Sequence, residues 1–310
     1  MQRHAQLDNF DIIRTLGEGF SGKVKLGKDR ETGKLYALKI LNFRKIQPKR
    51  LKSCMAAFRA EIKALSQIKH KNIVGYVEYK QRGTYLTKKG RRKEVHYIIT
   101  ELASNGEIFE IIQKDGPFSE NCCRFYMQQL LAALKYLHDQ DIAHRDIKPE
   151  NLMLDENFDL KLIDFGFATH FEKERKNKTI VGTLGYISPE INHGRCYYPH
   201  KADVFATGVS LFILFAGYPP FQEAHMNNVY YKAFVRENDA FWKFHQKHSK
   251  TVHLPDGFKK LMNGMLDNDA LQRFDIDQII EFDWLAQEAD EAMAKKEMRA
   301  RVQKMGNWRQ

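Results

Sequence analysis

The stretch AHRDIKPENLMLDENFDLKLIDFG, residues 143–166, combines polar residues of catalytic type with two short apolar runs. Asp146, Lys148 and Asn151 lie within six positions, and Asp164 follows thirteen residues after Asn151. Phosphoryl transfer from a nucleotide needs a group that accepts or orients a hydroxyl proton, a cation near the γ-phosphate, and oxygen ligands for Mg²⁺. Asp, Lys and Asn meet these needs in turn, and the second aspartate would complete a Mg²⁺ site. The alternative is a solvated loop of mixed charge followed by a strand-ending turn.

A glycine-rich segment, GEGFSGKV at residues 17–24, lies near the start of the chain and fits the pattern G-x-G-x-x-G-x-V. Glycines let a backbone approach phosphates closely. Both flanks alternate apolar and polar side chains, which predicts a strand-turn-strand lid rather than the strand-turn-helix of dinucleotide folds. Lys39, on the next predicted strand, lies where its ammonium would reach bound phosphates. The alternative for this lysine is an edge position facing water.

The composition is that of an ordinary globular chain of 310 residues, with 43% hydrophobic and 29% charged residues. The net charge of +11 is compatible with nucleic acid, anionic lipid or phosphorylated ligands, and does not choose among them. The four cysteines show no metal-ligand spacing, and Cys122 and Cys123 are adjacent. This argues against a disulfide framework and indicates a reducing intracellular compartment. The expected compartment is the cytoplasm, and the nucleus is the alternative. The N-terminal segment has no apolar core of signal-peptide length.

Strand patterns come first along the chain and helical patterns later. A helical spacing of apolar residues covers residues 50–69, strands are predicted at 73–80 and 94–102, and TYLTKKGRRK between them is predicted as a basic loop. A strongly apolar helix begins at Cys122. The uncharged run Val204–Phe221 has about the minimum length of a membrane span. Because Gly217 and two prolines end it early, we interpret it as a buried core helix.

The order and spacing of these elements resemble a eukaryotic protein kinase of the serine/threonine type over residues 10–285. The resemblance implies an α+β class and a bilobal protein kinase fold. Its small antiparallel-sheet N-lobe, with one main helix, would span about 10–101, and its larger helical C-lobe about 106–285. The hinge would lie at about 101–105, and residues 286–310 would form a short helical tail.

The resemblance also implies ATP as phosphoryl donor, Mg²⁺ as metal, and protein serine or threonine hydroxyls as acceptors. The implied catalytic residues are Asp146 as base, Lys148, Lys39, Glu61 and Thr183. The implied metal ligands are Asn151 and Asp164. The implied ATP-binding residues are Leu16, Gly17, Glu18, Gly19, Gly22, Val24, Ala37, Lys39, Thr100, Glu101, Ala103, Glu107, Glu150 and Asn151.

The resemblance implies different roles for the two threonines of the segment KNKTIVGTLGYISPE, residues 176–190. Thr179 matches the usual activating phosphosite, and Arg145 would supply a guanidinium partner for its phosphate. An upstream kinase or the protein itself would add that phosphate. Thr183 would bond Asp146 and Lys148.

Three further contacts are implied by the resemblance. Lys39 would pair with Glu61 and Glu190 with Arg273, while Asp203 would brace the backbone of His144-Arg145.

The segment HGRCYYPHKADVFATGVSLFILFAGYPPF and the closing FDWL resemble the calcium/calmodulin-dependent-kinase-like group. Glu107 and Glu150 would favour basic residues before the acceptor. The chain departs from the family pattern at positions that bear no catalytic atom. These departures are Ser188 for the usual alanine, Phe205-Ala206 for Trp-Ser, and Ala270 for proline.

Two alternatives compete with an active kinase. A pseudokinase or scaffold would bind ATP without turnover, and it typically lacks one of the five residues Lys39, Glu61, Asp146, Asn151 and Asp164, all of which are present. A nucleic-acid-binding reading rests on charge alone, because no aromatic residues alternate with the basic ones. Solvated faces are the favoured interpretation of the basic clusters, and a docking surface for an acidic partner is the alternative. The clusters are Arg44, Lys45, Lys49, Arg50 and Lys52, and Lys88, Lys89, Arg91, Arg92 and Lys93.

The tail combines an apolar helix side with basic residues, as calmodulin targets do. The residues of that side are Met298, Val302, Met305 and Trp308. The favoured interpretation is a terminal helix packed on the preceding domain or frayed, so calmodulin is an alternative partner rather than the expected one.

Overall fold

The computed structural model of the chain describes residues 5–18, 22–41, 47–249 and 253–306. The chain divides into two compact units. The first comprises Met1–Ser104 with Asp164–Gly166, and the second comprises Asn105–Ile163 with Phe167–Gln310.

The first unit is built around an antiparallel sheet that closes on itself. Its strands are β1 (Ala5–Leu7), β2 (Phe10–Glu18), β3 (Lys23–Asp29), β4 (Leu35–Leu41), β5 (Tyr76–Leu86) and β6 (Arg92–Glu101). They pair in the order β1-β2-β3-β4-β6-β5, and β1 also pairs with β5, so the sheet is a closed barrel. Alternate side chains of each strand point to opposite faces. Leu38 and Ile40 of β4 and Tyr97 and Ile99 of β6 therefore fill the barrel interior.

The helix α1 (Pro48–Leu65) packs on the outer face of this barrel. Pro48 occupies the first helical turn, where its missing N–H leaves no hydrogen bond unmade. Phe58 of α1 lies against Leu41 and Ile98 of the sheet. The helix ends at Leu65, before the end of the predicted range 50–69, although Ile68 beyond it is still buried.

The prediction of a basic loop over TYLTKKGRRK is wrong, because the two ends of this segment belong to β5 and β6. The two strands run through it and pair as a hairpin, with Leu86 opposite Arg92, because alternating side chains continue on both sides of a short turn. Gly90 has a φ of 75°, and the N–H of Thr87 donates to the carbonyl of Arg91 at 3.0 Å. The basic side chains of this turn are exposed. Of the other basic cluster, Arg44 and Lys45 lie outside the described residues.

The second unit is mainly helical. Its helices are α2 (Ile108–Asp115), α3 (Glu120–Asp139), α4 (Pro189–Asn192), α5 (Pro199–Ala216), α6 (Val229–Arg236), α7 (Asn238–His248), α8 (Asp256–Met265), α9 (Ile276–Ile280), α10 (Asp283–Ala286) and α11 (Glu291–Gly306). Its short strands are β7 (Gly106–Glu107), β8 (Ile142–Ala143), β9 (Leu152–Leu154), β10 (Leu160–Leu162) and β11 (Thr169–His170). They form the antiparallel sheets β10-β9-β7 and β11-β8.

The uncharged run of the sequence forms α5, which is buried from Lys201 to Ala216. It ends at Gly217, whose φ of 83° is a left-handed conformation that only glycine adopts without strain. The interpretation as a core helix is thus confirmed. Among the described residues, none of the helices combines the length and hydropathy that a bilayer crossing requires.

The tail helix α11 packs on α2 and α3. Met298 and Met305 are buried, and Arg301 donates to the carbonyls of Gly116 at 3.1 Å and Pro117 at 2.7 Å, just past the end of α2. This supports the packed terminal helix over the calmodulin target, since the apolar side is covered. Trp308 lies outside the described residues.

Candidate active site

The ammonium of Lys39 lies between two carboxylates in the first unit. Its Nζ donates to Oε2 of Glu61 at 2.6 Å and to Oδ1 of Asp164 at 2.8 Å. β4 positions the lysine, and α1 brings the glutamate to it. Lys39 and Glu61 are buried, with 9% and 4% of their surface exposed. The predicted pair is therefore present and shielded from water.

Burial and charge compete in this cluster. Burial alone would lower the pKa of the Lys39 ammonium, but the carboxylates of Glu61 and Asp164 outweigh it and raise that pKa above its ordinary value. Burial raises the pKa of Glu61 to about 7, against the attraction of Lys39. Lys39 is therefore a fixed positive charge at neutral pH, of the kind that anionic phosphates attract.

The outer face of the barrel beside Lys39 is apolar and partly open. In the register, Val24 pairs with Lys39 and Ala37 pairs with Thr100, so these four side chains point to the same face. Val24, Ala37, Thr100 and also Leu16 are half-buried. Such a surface suits a flat, apolar ring.

The end of β6 and the segment after it hold two further candidates of the first unit. Glu101 ends β6, and its N–H donates to the carbonyl of Gly75 at 2.8 Å. Ala103 is buried.

The glycine-rich segment joins β2 to β3, as the strand-turn-strand prediction requires. Gly17 pairs with Val24, and Glu18 forms an exposed ion pair with Lys23 at 2.7 Å. A Cβ on Gly22 would clash with the carbonyl of Ile40, so the backbone there approaches β4 as only glycine permits. Gly19 lies outside the described residues.

A hydrogen-bonded network surrounds Asp146 in the second unit. Oδ1 of Asp146 accepts from Oγ1 of Thr183 at 2.7 Å, and Oδ2 accepts from Nζ of Lys148 at 2.8 Å. Nζ of Lys148 also donates to Oγ1 of Thr183 at 2.6 Å. The contacts predicted for Thr183 are therefore present. Only 6% of the Asp146 surface is exposed, so the carboxylate is held in one orientation.

The carboxylate of Asp203, in α5, fixes the backbone just before Asp146. Its two carboxylate oxygens accept the N–H groups of His144 at 2.9 Å and Arg145 at 2.7 Å, and Oδ2 also lies 3.0 Å from Nε2 of His138. The predicted bracing role is confirmed. Burial pushes the pKa of Asp203 up, but the bond to His138 and the neighbouring N–H groups outweigh it and lower that pKa. Arg145 has a φ of 65°, which is uncommon outside glycine and is over-determined by these bonds.

The amide of Asn151 is oriented by the same loop. Its Nδ2 donates to the backbone carbonyl of Asp146 at 2.7 Å and to Oδ2 of that residue at 3.1 Å. The amide oxygen is consequently the atom presented to a cation. Within the described residues no group of three or more His, Cys, Asp or Glu side chains would hold a metal by itself. Mg²⁺ at a nucleotide usually takes one or two protein ligands, and the amide oxygen of Asn151 is a donor of the type that this ion accepts.

The two glutamates predicted near substrate have different surroundings. Glu107 ends β7 and directly precedes α2. Glu150 accepts a hydrogen bond from the hydroxyl of Tyr186 at 3.2 Å. Burial, with the charge of Glu150, raises the pKa of Tyr186, so this phenol stays a donor. Tyr186 was missed in the sequence analysis, where a single tyrosine carries no spacing signal.

Thr179 is exposed, as a modifiable residue must be. Its backbone N–H donates to Oδ1 of Asn177 at 2.7 Å, and its carbonyl accepts from the hydroxyl of Tyr197 at 2.8 Å. Tyr197 also lies 3.2 Å from Nη1 of Arg145. No pattern in the sequence pointed to Tyr197, because its contacts arise only from the folded path of the segment.

The ion pair predicted between Glu190 and Arg273 is present and bidentate. Nη1 and Nη2 of Arg273 donate to the glutamate oxygens at 2.9 and 3.0 Å, and Arg273 is 1% exposed. Its guanidinium lies 5.0 Å from the centre of the Phe205 ring. The phenylalanine that replaces the usual tryptophan therefore still provides an aromatic face for this cation.

Comparison with known proteins agrees with this geometry. The family model for the protein kinase domain matches residues 10–285. The chain belongs to the protein kinase family. A CBL-interacting serine/threonine-protein kinase 9 of Arabidopsis thaliana is 33% identical over 90% of this chain and 58% of its own length, and kinase 3 of that name and organism is 35% identical over 90% and 59%. A probable serine/threonine-protein kinase fhkC of Dictyostelium discoideum is 32% identical over 92% and 45%.

These relatives confirm the resemblance to serine/threonine kinases of the calcium/calmodulin-dependent-kinase-related group. The fold prediction for a protein kinase, with an antiparallel-sheet N-terminal region and a helical C-terminal region, is also confirmed. The chain spans less than two thirds of the length of the curated relatives it matches. It covers 58% of the Arabidopsis kinase 9 and 59% of the Arabidopsis kinase 3.

Proposed function

We propose that the chain is an ATP-dependent serine/threonine protein kinase that transfers the γ-phosphoryl group of ATP to serine or threonine hydroxyls of proteins. The observation that carries the proposal is the network of Asp146, Lys148 and Thr183. It orients one carboxylate and one ammonium through a shared hydroxyl, with three bonds of 2.6 to 2.8 Å.

The chemistry follows from the charges of these groups. A carboxylate of Asp146 accepts or orients the proton of the acceptor hydroxyl, and Lys148 offsets negative charge at the transferred group. Lys39, held by Glu61, binds the α- and β-phosphates. Mg²⁺, with Asn151 and Asp164 as its proposed ligands, would neutralise phosphate charge when bound. The half-buried face of Val24 and Ala37 suits the adenine ring.

The remaining ATP contacts, the domain limits and the acceptor preference are proposed from the family resemblance. The proposed kinase domain spans residues 10–285, and residues 286–310 form its tail. Glu107 and Glu150 would favour basic residues before the acceptor. Phosphorylation of the exposed Thr179, by an upstream kinase or by the protein itself, would raise activity. A reducing intracellular compartment is proposed from the cysteine spacing, since Cys122 and Cys123 are adjacent and no metal-ligand pattern is present.

A pseudokinase would typically show a substitution among Lys39, Glu61, Asp146, Asn151 and Asp164, and none is substituted.

The test is phosphorylation of a basic serine peptide by purified protein with Mg²⁺ and ATP, before and after treatment with an activating kinase. Asp146→Asn is the control, since it keeps ATP binding and loses at least about a hundredfold in kcat. The proposal fails if neither the peptide nor the protein itself gains phosphate under either condition. It also fails if Asp146→Asn turns over at the wild-type rate.

A further inference from the structure

Tyr197 lies just beyond the segment 176–190 and is 1% exposed. Its hydroxyl donates to the backbone carbonyl of Thr179 at 2.8 Å and lies 3.2 Å from Nη1 of Arg145, which donates to it. Its backbone also forms two hydrogen bonds with Asn177, at 2.7 and 2.9 Å. One buried residue therefore ties the segment to the arginine that immediately precedes Asp146.

The bonds of Tyr197 are suited to persist without phosphate. Burial raises the pKa of its phenol, although Arg145 opposes that rise, so the group stays a donor at neutral pH. Arg145 also donates through Nε to the carbonyl of Phe167 at 2.7 Å. A guanidinium has five N–H donors, and these two contacts use two of them. A phosphate on Thr179 therefore need not displace Tyr197 in order to bond Arg145.

The segment is anchored at a second point four residues later. The hydroxyl of Thr183 donates to Asp146, and between the anchors Gly182 has a φ of 115°. A Cβ on Gly182 would lie 3.2 Å from the carbonyl of Arg145, so the backbone runs close to the loop that carries Asp146. Because the chain between the anchors is short, releasing Thr179 would also loosen Thr183.

We propose that Tyr197 is a positioning residue that keeps residues 176–183 ordered while Thr179 carries no phosphate. The kinase then has a basal activity that depends on the Tyr197 hydroxyl, and a phosphate on Thr179 adds a second tie to the same arginine. This inference rests on the proposed function, and it concerns how that function is regulated.

The test uses Tyr197→Phe, which keeps the ring and removes both hydroxyl bonds. Tyr198→Phe is the matched control, because it also removes one tyrosine hydroxyl and keeps the ring. The centre of that ring lies 5.2 Å from Nζ of Lys176. Both are made in a Thr179→Ala background so that phosphate cannot contribute. We expect Tyr197→Phe to lower kcat/KM for peptide about tenfold, from the loss of two hydrogen bonds. KM for ATP stays within about twofold in both variants.

A second measurement does not depend on activity. Trypsin cleaves after Arg175, Lys176 and Lys178, all of which are exposed. We expect Tyr197→Phe to speed cleavage at these sites at least about fivefold, since local opening controls the rate, while Tyr198→Phe leaves it unchanged. Asn177→Ala removes the acceptor of the Thr179 N–H. If Tyr197→Phe does not fold, this second variant is used, and we expect it to speed cleavage as well.

The outcomes separate this inference from the proposed function. An inactive wild-type protein would overturn the proposed function, and the cleavage rates would still decide whether Tyr197 orders the segment. An active wild type with equal kcat/KM and equal cleavage rates in Tyr197→Phe would overturn the inference alone. With Thr179 present and phosphorylated, the inference expects the activity loss of Tyr197→Phe to shrink below about threefold.

Discussion

Replacing Glu190 by glutamine would leave the guanidinium of Arg273 buried without its charged partner. Arg273 is 1% exposed and also donates to the backbone carbonyls of Lys201 at 2.9 Å and Asp267 at 3.0 Å, so it cannot swing out to water without losing these bonds as well. Removing one partner of a buried ion pair costs about 3–5 kcal/mol. We expect Glu190→Gln to lower the free energy of unfolding of the second unit by that amount.

Urea unfolding followed by tryptophan fluorescence measures this loss. Trp242 and Trp284 lie buried in the second unit, so their signal reports that unit. The control is Glu172→Gln, which breaks the exposed pair with Arg175 at 3.2 Å, where the side chains are 73% and 78% exposed. That variant should change stability by less than about 0.5 kcal/mol. A loss under about 1 kcal/mol for Glu190→Gln would contradict the reasoning.

The pH dependence gives an independent check. Burial would raise the pKa of Glu190, but Arg273 outweighs it and holds that pKa below the ordinary value of 4.5. The folded state therefore binds this proton more weakly than the unfolded state. The contribution of Glu190 is fully present above pH 4.5 and is lost as pH falls through the folded-state pKa. The stability difference between wild type and Glu190→Gln should shrink in that acidic range, and a constant difference would contradict it.

Three other perturbations have defined outcomes. Thr183→Ala should lower kcat at least about tenfold with little change in KM for ATP, and Thr183→Ser should restore it, as steady-state kinetics would show. Arg301→Met should destabilise the second unit by about 1–3 kcal/mol in urea, because three carbonyls at the end of α2 and just after it lose their donor, whereas the exposed Lys296→Met should not. Burial lowers the pKa of His245 to about 4 from 6.5, so the unfolded state takes up its proton first and stability falls by up to about 3 kcal/mol between pH 6.5 and 4. His245→Gln should flatten that fall in acid titrations of stability, and the exposed His170→Gln should leave it as in wild type.

The local geometry around Asp146 could be predicted from sequence because its partners are close along the chain or fixed by a motif. Lys148 and Asn151 lie on the same short loop, and Thr183 follows at a spacing typical of the family. The contacts with Glu61 and Asp203 could be predicted only through the family resemblance, since they join distant segments.

The remaining contacts depend on paths that no local pattern encodes. Tyr197 reaches Thr179 and Arg145 only after the segment folds back beside it. The hairpin of β5 and β6 was predicted as a loop because charge and glycine dominate its composition, although alternation continues through it. Strand β1 was not predicted, because three residues are too few to show a period.

Strand β1 has a consequence for how the first unit meets other chains. An open sheet ends in strands whose unpaired N–H and C=O groups invite pairing with another molecule. Here Leu7 pairs with both Phe10 of β2 and Tyr85 of β5, and Asp8 fastens the junction by accepting from the hydroxyl of Tyr97 at 2.8 Å. Trimming residues 5–8 would uncover two strand edges at once. A shortened chain should therefore be prone to self-association through its sheet, even where its catalytic residues are untouched.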